Sequence, residues 1–451
     1  MSSKIFPLTD NEVYNLDGKY GSPLYVYDAD LIELSCKQFL TTFRKYFPGF
    51  RNFFAVKALP NQEILKIINN TGMDFDASSP TELWLLNKIG VDPSKIMYTS
   101  NYTSSKDLKY AINQKVIINL DDIDGLENLK TLDLNLNLIN NIDTLSFRLN
   151  PLCGKTDSET QSNVLGGINS KFGTSPDLIV DAYILAQKMG FKKFGLHCMT
   201  GSNILDISYW EELLTYIYPT IKKLQDNGIT INFLNIGGGI GIPYKPDNKA
   251  IYLDMLAQNI KNKIDELDKD YKIQHKFSLY MECGRYITGP YGWLITKCES
   301  IKKFNDNIFY GVNASMANLM RPGMYNAYHY IHTLNAKGNT KHIEPVWANV
   351  VGTLCENNDW FAKDRILNKI QKNDYVIIHD VGAHGHSMGF NYNGKLRSAE
   401  VMRYKGKFKL IRKHETPEYL YQNCNNIDEN IIFKRLYLIV MMIFIIYNIY
   451  F

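Results

Sequence analysis

The region from Arg51 to Glu282 repeats one pattern eight times, and this repeat constrains the fold more than any other feature of the sequence. In each unit a short apolar run, rich in β-branched and aromatic residues, is followed by a segment with helical periodicity. The eight runs are Arg51–Lys57, Met73–Ser78, Ile96–Ser100, Val116–Leu120, Leu145–Asn150, Phe194–Met199, Ile231–Gly237 and Phe277–Glu282. Eight strand–helix units of this total length predict a TIM-like (β/α)8 barrel, with a doubly wound open sheet as the alternative α/β fold.

The residues after the repeat follow a different pattern. The runs IFYGV, VWANVVG, DYVIIHDVG and KGKFKLIRK are separated by turns and are typical of antiparallel strands, and Pro23–Tyr27 forms one more isolated strand. A chain of 451 residues also exceeds what one core usually supports, roughly 250–300 residues. We therefore expect an N-terminal segment (1–30) that joins the β domain, a cofactor-binding barrel (31–285), a mainly antiparallel β domain (286–425) and a hydrophobic C-terminal extension (426–451).

The last 16 residues, Leu436–Phe451, contain no charged side chain. A membrane-spanning helix needs about 17–25 apolar residues, so this run is marginally short. It fits a disordered extension, with a C-terminal tail anchor as the minority interpretation.

Charge and cysteine content exclude several classes of protein. Lys and Arg number 50 and Asp and Glu 46, so the net charge of +4 gives no electrostatic basis for binding nucleic acid. The 7 cysteines are widely spaced without a C-x-x-C pair, which indicates neither a metal site nor a disulfide framework. Scattered free thiols and an N-terminus unlike a secretory signal predict a cytoplasmic protein.

Reactive or charged groups stand at the ends of six predicted strands, where TIM barrels carry their active sites. These groups are Lys57, Asp76, Arg148, His197, the glycines Gly237, Gly238 and Gly239, and Glu282 with Arg285. Lys57 is either a rim lysine that reaches solvent or a buried lysine whose lowered pKa suits a Schiff base. The glycines form either a tight turn or a phosphate cradle.

A Schiff-base lysine together with a phosphate cradle implies pyridoxal 5'-phosphate. Glu282 then has a function, because a carboxylate facing the pyridine nitrogen keeps that nitrogen protonated and strengthens the electron sink. The alternative for Glu282 is a salt bridge with Arg285 at the rim.

Eight motifs carry a resemblance to a known family. They are FAVKALPN (54–61), FDASSPTEL (75–83), FRLNP (147–151), GGGIGIPY (237–244), ECGR (282–285), MRPGMYNAYH (320–329), CENND (355–359) and DVGAHGHSMGFNYNGKLRSAE (380–400). With these motifs the chain resembles the fold-type III pyridoxal-phosphate decarboxylases, and among them the diaminopimelate decarboxylases. The resemblance implies a homodimer with shared active sites and a small amino-acid substrate.

The resemblance also implies roles for individual residues. Lys57 would bind the cofactor covalently, Glu282 would contact its pyridine nitrogen, and Asp76 and Arg148 would lie near its ring. The phosphate would be held by Ser202, Gly237, Gly238, Gly239, Gly284 and Arg285. Cys355, contributed by the other copy, would protonate the carbanion left by carbon dioxide. Glu356 would contact the distal amino group of the substrate, and Arg321, Tyr325 and Arg285 its distal carboxylate.

Two positions depart from the family pattern. Met199 stands where many members have a histidine that stacks on the cofactor ring, although a thioether also packs on an aromatic face. His384 replaces a tyrosine of the family, so His384 or Tyr392 would make the corresponding contact. His197 and His384 are alternatively packing residues without a role in chemistry.

The expected reaction is decarboxylation of meso-2,6-diaminopimelate to L-lysine and carbon dioxide, because Arg321 and Glu356 match the two charges at the distal end of that substrate. A related decarboxylase for ornithine, arginine or carboxynorspermidine is the first alternative, although a desolvated arginine would repel their cationic ends. A racemase is disfavoured by Glu282, and an inactive regulator by the presence of Lys57 and Cys355.

Overall fold

The structure is a computed structural model that describes residues 4–136, 138–157, 164–335, 344–424, 437–443 and 447. It contains a closed barrel of eight parallel strands, so the predicted barrel is confirmed and the open sheet is wrong. Strand β1 (Leu24–Asp28) precedes the barrel. The barrel strands are β2 (Arg51–Ala55), β3 (Asp74–Ala77), β4 (Ile96–Ser100), β5 (Ile117–Leu120), β6 (Leu145–Leu149), β7 (Phe194–Cys198), β8 (Ile231–Asn235) and β9 (Ser278–Met281).

Helices surround the barrel, and several of them begin with local capping signals. In α3, for example, the side chain of Asn61 accepts the amide proton of Glu63, and in α4 the cap Ser79 is followed by Pro80. The helices up to the last barrel strand are α1 (Asp10–Tyr20), α2 (Ala29–Tyr46), α3 (Gln62–Asn70), α4 (Pro80–Lys88), α5 (Ser105–Asn113), α6 (Ile123–Leu136), α7 (Ile179–Lys188), α8 (Tyr209–Asp226) and α9 (Leu253–Asp270). Three short helices follow, α10 (Arg285–Thr288), α11 (Arg321–Tyr325) and α12 (Pro417–Tyr421).

A nine-stranded sheet forms the second part of the molecule. Besides β1 it contains β10 (Gly292–Phe304), β11 (Asn307–Val312), β12 (Ile331–Leu334), β13 (Pro345–Val351), β14 (Trp360–Asn368), β15 (Tyr375–Ile378), β16 (Ala399–Tyr404) and β17 (Lys407–Arg412). Most neighbours are antiparallel, but β1 runs parallel to β16 and β11 parallel to β13. The N-terminal strand thus lies in the middle of a sheet built mainly from the C-terminal part of the chain.

A buried carboxylate joins the sheet to the barrel. Glu400 of β16 is 1% exposed and accepts hydrogen bonds from Tyr27 of β1 (2.8 Å) and from Asn61, the cap of α3 (2.9 Å). Arg412 of β17 also donates to Glu400. These four residues form the Glu400 network, which ties three strands of the sheet to the turn that follows Lys57.

The predicted C-terminal extension lies mostly outside the described residues. Residues 437–443 are helical, and the large apolar side chains from Tyr437 to Ile443 are exposed. Within the described part of the chain, no helix has both the length and the apolar character needed to cross a membrane.

We expect Glu400→Ala to lower the free energy of unfolding by about 3 kcal/mol or more, because it leaves the buried hydrogen-bond donors of the Glu400 network without their acceptor. Denaturant titration followed by circular dichroism measures this. Asp143→Ala, which removes the exposed ion pair with Lys193, is the control and should change the free energy by less than about 1 kcal/mol. Equal effects of the two substitutions would contradict the structural role of the Glu400 network.

Candidate active site

A cavity of about 310 Å³ opens at the carboxyl ends of the barrel strands, within the size range of small-molecule sites. Residues from both parts of the molecule contribute to it. The lining residues are Ala55, Lys57, Asp76, Leu165, Met199, Ser202, Asn203, Gly239, Ile240, Glu282, Cys283, Gly284, Arg285, Arg321, Tyr325, His384 and Met388. The cavity therefore brings together ten of the residues that the sequence singled out for cofactor or substrate binding. They are Lys57, Asp76, Ser202, Gly239, Glu282, Gly284, Arg285, Arg321, Tyr325 and His384.

Glu282 is the buried anion of the cavity. It follows β9 directly, and its two carboxylate oxygens lie 3.1 Å from His197 Nε2 and 2.8 Å from Asn235 Nδ2. Burial raises the pKa of Glu282, but the charges of His197, Lys57 and Arg148 outweigh burial and hold this pKa below its usual value. Glu282 is therefore ionised at neutral pH. Its observed partners are His197 and Asn235, and among the described ion pairs it has none with Arg285.

Asp76 is a second carboxyl group in the same cavity, and its pKa is shifted in the opposite direction to that of Glu282. Burial and then the charge of Glu282 raise the pKa of Asp76 well above its usual value. Its Oδ1 atom is buried and has no hydrogen-bond partner in the described part of the structure. Asp76 thus resists ionisation beside an ionised Glu282, and one of its oxygens is available for a ligand.

Lys57 lines the cavity from a 3-10 turn, Val56–Ala58, that follows β2. The sequence placed it at the end of the strand, but β2 ends two residues earlier, at Ala55. Its side chain is exposed in the cavity. Of the two alternatives for Lys57, the single chain has the exposed one, because the strand residues before the turn are buried and the turn directs Lys57 out of the apolar layer.

The glycine turn is shaped by internal hydrogen bonds. The Gly237 amide donates to Asn235 Oδ1 (2.9 Å) and the Gly238 amide to Met199 Sδ (3.1 Å). Gly237 and Gly239 have positive φ angles, and a Cβ on Gly239 would lie 2.8 Å from the carbonyl oxygen of Gly201. Glycine is thus required at position 239, because the turn packs closely against the main chain of Gly201. Of the three backbone amides predicted to bind phosphate, those of Gly237 and Gly238 already donate to acceptors within the protein.

Two arginines supply the positive charge of the cavity, and Tyr244 links them. Arg285 donates to the Tyr244 hydroxyl (2.6 Å) and to Ser202 Oγ (3.1 Å), and the Arg321 guanidinium lies 4.6 Å from the centre of the Tyr244 ring. Arg321 is 4% exposed, and burial lowers its pKa to about 10. Within the described residues neither arginine forms an ion pair with a carboxylate, so both remain available to an anionic ligand.

Arg148 and His384 differ in their relation to the cavity. Arg148 is absent from the lining residues; it donates to the Met199 carbonyl oxygen (3.0 Å) and lies 3.7 Å from Asp121. It therefore supports the site from behind. His384 lines the cavity, and burial followed by the charge of Arg285 holds its pKa well below the usual value, so its imidazole is neutral.

Three predicted site residues form a separate, exposed group. The Cys355 amide donates to Asn393 Oδ1 (2.8 Å), and the Tyr392 side chain is hydrogen-bonded to Glu356. Cys355, Glu356 and Tyr392 are exposed, and none of them lines the cavity of its own chain. We call these three residues the Cys355 group. The structure thus divides the predicted site into a cavity and an outlying group.

Sequence reasoning missed several residues that shape the cavity. Asn235 holds Glu282, Tyr244 links the arginines, and His329 accepts a hydrogen bond from Arg321 (2.8 Å). The fully buried Asn52 pairs with the main chain of Cys283 in both directions, at 2.9 and 3.2 Å. A polar residue within a buried strand, as at Asn52 and Asn235, is the only signal in the sequence that marks such positions.

Comparison with known proteins identifies the family. Residues 33–289 match the family described as "Pyridoxal-dependent decarboxylase, pyridoxal binding domain". The chain belongs to this family of decarboxylases. Protein TabA of Pseudomonas amygdali pv. tabaci is 35% identical over 92% of both chains, and the diaminopimelate decarboxylase of Aquifex aeolicus is 32% identical over 89% of this chain and 91% of its own.

Solved structures agree with this assignment. The diaminopimelate decarboxylase of Helicobacter pylori complexed with L-lysine is 28% identical and superposes with a TM-score of 0.80, covering 91% of this chain and 98% of its own. The chain is therefore a pyridoxal-phosphate-dependent decarboxylase, and the resemblance drawn from the motifs is confirmed.

The groups in the cavity fit pyridoxal phosphate. An ionised carboxylate suits a protonated pyridine nitrogen, a lysine suits the aldehyde carbon, and Arg285 with Ser202 suits the phosphate. Asp76, which lines the cavity, has a buried Oδ1 atom without a partner in the described residues, as expected where a polar ligand belongs.

We expect Lys57→Ala to abolish the covalent lysine–cofactor linkage. The purified variant should lack the corresponding absorption band, and borohydride treatment should leave no cofactor attached to the protein. Mass spectrometry of the reduced wild-type protein should place the adduct on the peptide that contains Lys57. Lys88→Ala, on the surface of α4, is the control and should retain the band; an adduct on any other lysine would refute the assignment.

Proposed function

We propose that the protein decarboxylates meso-2,6-diaminopimelate to L-lysine and carbon dioxide. The observation that carries this proposal is the buried Arg321, which lines the cavity and has no carboxylate partner among the described residues. A buried cation of this kind is costly unless a ligand pairs with it. The distal carboxylate of diaminopimelate supplies that charge, and relatives named diaminopimelate decarboxylase share about 30% identity with the chain.

Different residues of the cavity would contact different parts of the cofactor. Pyridoxal phosphate, when bound, withdraws electrons from the substrate carbon that loses its carboxylate. Lys57 would hold the cofactor through its side-chain nitrogen. Glu282, oriented by His197 and Asn235, would keep a proton on the pyridine nitrogen. Arg285, Ser202 and the Gly239 turn would hold the phosphate.

Charge selects the substrate. Arg321 and Tyr325 bind the distal carboxylate, and Arg285 lies close enough to share Tyr244 with Arg321. Ornithine and arginine end in cations, which these arginines repel. The arrangement therefore disfavours the related decarboxylations, although they need the same cofactor groups.

We expect Arg321→Met to lower kcat/KM for meso-diaminopimelate by about 100-fold or more, which corresponds to about 3 kcal/mol. The lysine–cofactor absorption band should remain, because Lys57, Glu282 and Arg285 are unchanged. Carbon dioxide release is measured for the wild type and for Arg321→Met with meso-diaminopimelate, L-ornithine and L-lysine as substrates. The wild type should act on meso-diaminopimelate alone. Arg44→Met, on the outer helix α2, is the control. A wild-type preference for ornithine would overturn the charge-matching argument.

We further propose that the active site is completed by a second copy of the chain in a homodimer. The Cys355 group is exposed and lies outside the cavity of its own chain, whereas the thiol and carboxyl groups that do line this cavity, Cys283, Asp76 and Glu282, are buried side chains of the barrel. In the dimer, Cys355 would deliver a proton to the substrate carbon that loses carbon dioxide, and Glu356 would pair with the distal amino group.

Mixing inactive Lys57→Ala protein with inactive Cys355→Ala protein should restore activity through heterodimers. With full exchange, half of the dimers are mixed and one of their two sites is intact, so recovery approaches about one quarter of the wild-type activity. Carbon dioxide release measures recovery, and native mass spectrometry verifies exchange. Mixing Lys57→Ala with Lys57→Arg is the control without complementation. Verified exchange without recovery would exclude a shared site.

A further inference from the structure

His329 stands directly behind the arginine of the substrate site. It is fully buried; its Nε2 atom lies 2.8 Å from Arg321 Nη1, and its Nδ1 atom lies 2.7 Å from the carbonyl oxygen of His379. A guanidinium only donates hydrogen bonds, so Nε2 must be an unprotonated acceptor. The carbonyl only accepts, so Nδ1 carries the proton. The two contacts fix a single neutral tautomer of His329.

The neighbouring histidines do not disturb this assignment. Trp293 Nε1 donates to His379 Nδ1 (3.2 Å), so the other nitrogen of His379 carries the proton and donates to His332 Nδ1 (2.6 Å). The ring of His379 is thus engaged with Trp293 and His332, and only its carbonyl oxygen contacts His329. All three histidines satisfy their hydrogen bonds in the neutral state.

The cationic groups around His329 oppose its protonation and outweigh the hydrogen bond to the His379 carbonyl oxygen, which favours it. Arg321 of α11 contacts its ring, Arg365 of β14 donates to its carbonyl oxygen, and the Tyr244 ring lies 5.1 Å away. Burial, and after it the charges of Arg321, Arg285 and Arg365, lower the pKa of His329 well below its usual value. His329 therefore remains an acceptor throughout the usual pH range.

We propose that His329 is a positioning residue for Arg321 and thereby determines the selectivity of the site for ligands with a distal carboxylate. This inference rests on the proposed function, in which Arg321 binds that carboxylate. A glutamate or aspartate at this position would orient Arg321 equally well but would neutralise it. A neutral imidazole orients the guanidinium and leaves its charge for the ligand.

A matched pair of ligands isolates this effect from catalysis. L-lysine, the proposed product, keeps the distal carboxylate, whereas 1,5-diaminopentane has the same chain and amines without it. Calorimetric titration of the cofactor-loaded protein with each ligand gives an affinity ratio. We expect the wild type to favour L-lysine, and His329→Leu to lower the ratio by about 10-fold to 100-fold, the range for a hydrogen bond to a charged group.

Two further variants distinguish orientation from folding. His329→Gln places a neutral acceptor at a similar distance and should keep the ratio within about threefold of the wild type, less than the value of a hydrogen bond to a charged group. His329→Glu keeps an acceptor but neutralises Arg321, so it should lower the ratio even if the protein is as stable as the wild type. His332→Leu, three residues along the chain and without contact to Arg321, is the control and should leave the ratio unchanged.

The pH dependence and the possible outcomes complete the test. From about pH 8 to about pH 5.5 the ratio should follow the same profile in the wild type and in His329→Gln, because Asp380, whose pKa burial raises to about 6 and whose charge acts on Arg321, titrates in both proteins. A fall near pH 6.5 in the wild type that is absent from His329→Gln, or a ratio that is unchanged in both His329→Leu and His329→Glu, overturns the role of His329. A wild-type protein that binds both ligands equally overturns the proposed function itself, so the two failures are distinguishable.

Discussion

Closure of the barrel between its first and last strands is the constraint on which the cavity depends. β2 pairs with β9 through Arg51 and Tyr280 and through Asn52 and Met281. The buried Asn52 side chain then binds both the amide and the carbonyl of Cys283. Because Glu282 lies between Met281 and Cys283, the same closure fixes the carboxylate of the site. It also sets the start of α10, where Arg285 begins the helix.

The cavity holds charges that the protein leaves unbalanced. Glu282 is kept ionised by His197 and Lys57, while burial and the charge of Glu282 raise the pKa of Asp76 beside it. Arg285 and Arg321 have tyrosine, serine and histidine partners in the described structure, where an ordinary buried arginine would have a carboxylate. Unpaired buried charges of this kind lower the stability of the folded protein. The hydrogen-bonded Glu400 network, next to the Lys57 turn, stabilises the same region and offsets part of this loss.

The sequence allowed the barrel and most of the cavity to be predicted because both follow from periodicity. A polar residue at the end of a buried strand must lie at one rim, and Lys57, Asp76 and Glu282 do. The supporting contacts could not be predicted, since Tyr244 and Arg285, or Arg321 and His329, meet only after loops of different units fold together. The 13-residue β10 was also missed, because its last six residues are exposed and four of them are charged or polar.

The central place of β1 in the second sheet has a consequence for biosynthesis. Leu24 pairs with Ile295 on one side and with Ala399 on the other, so the partners of this apolar strand are made long after it. The barrel strands between residues 51 and 281 are complete well before β16 leaves the ribosome. During translation β1 therefore has two unpaired edges until β10 is made, and one edge remains unpaired until β16, close to the end of the chain, has been synthesised.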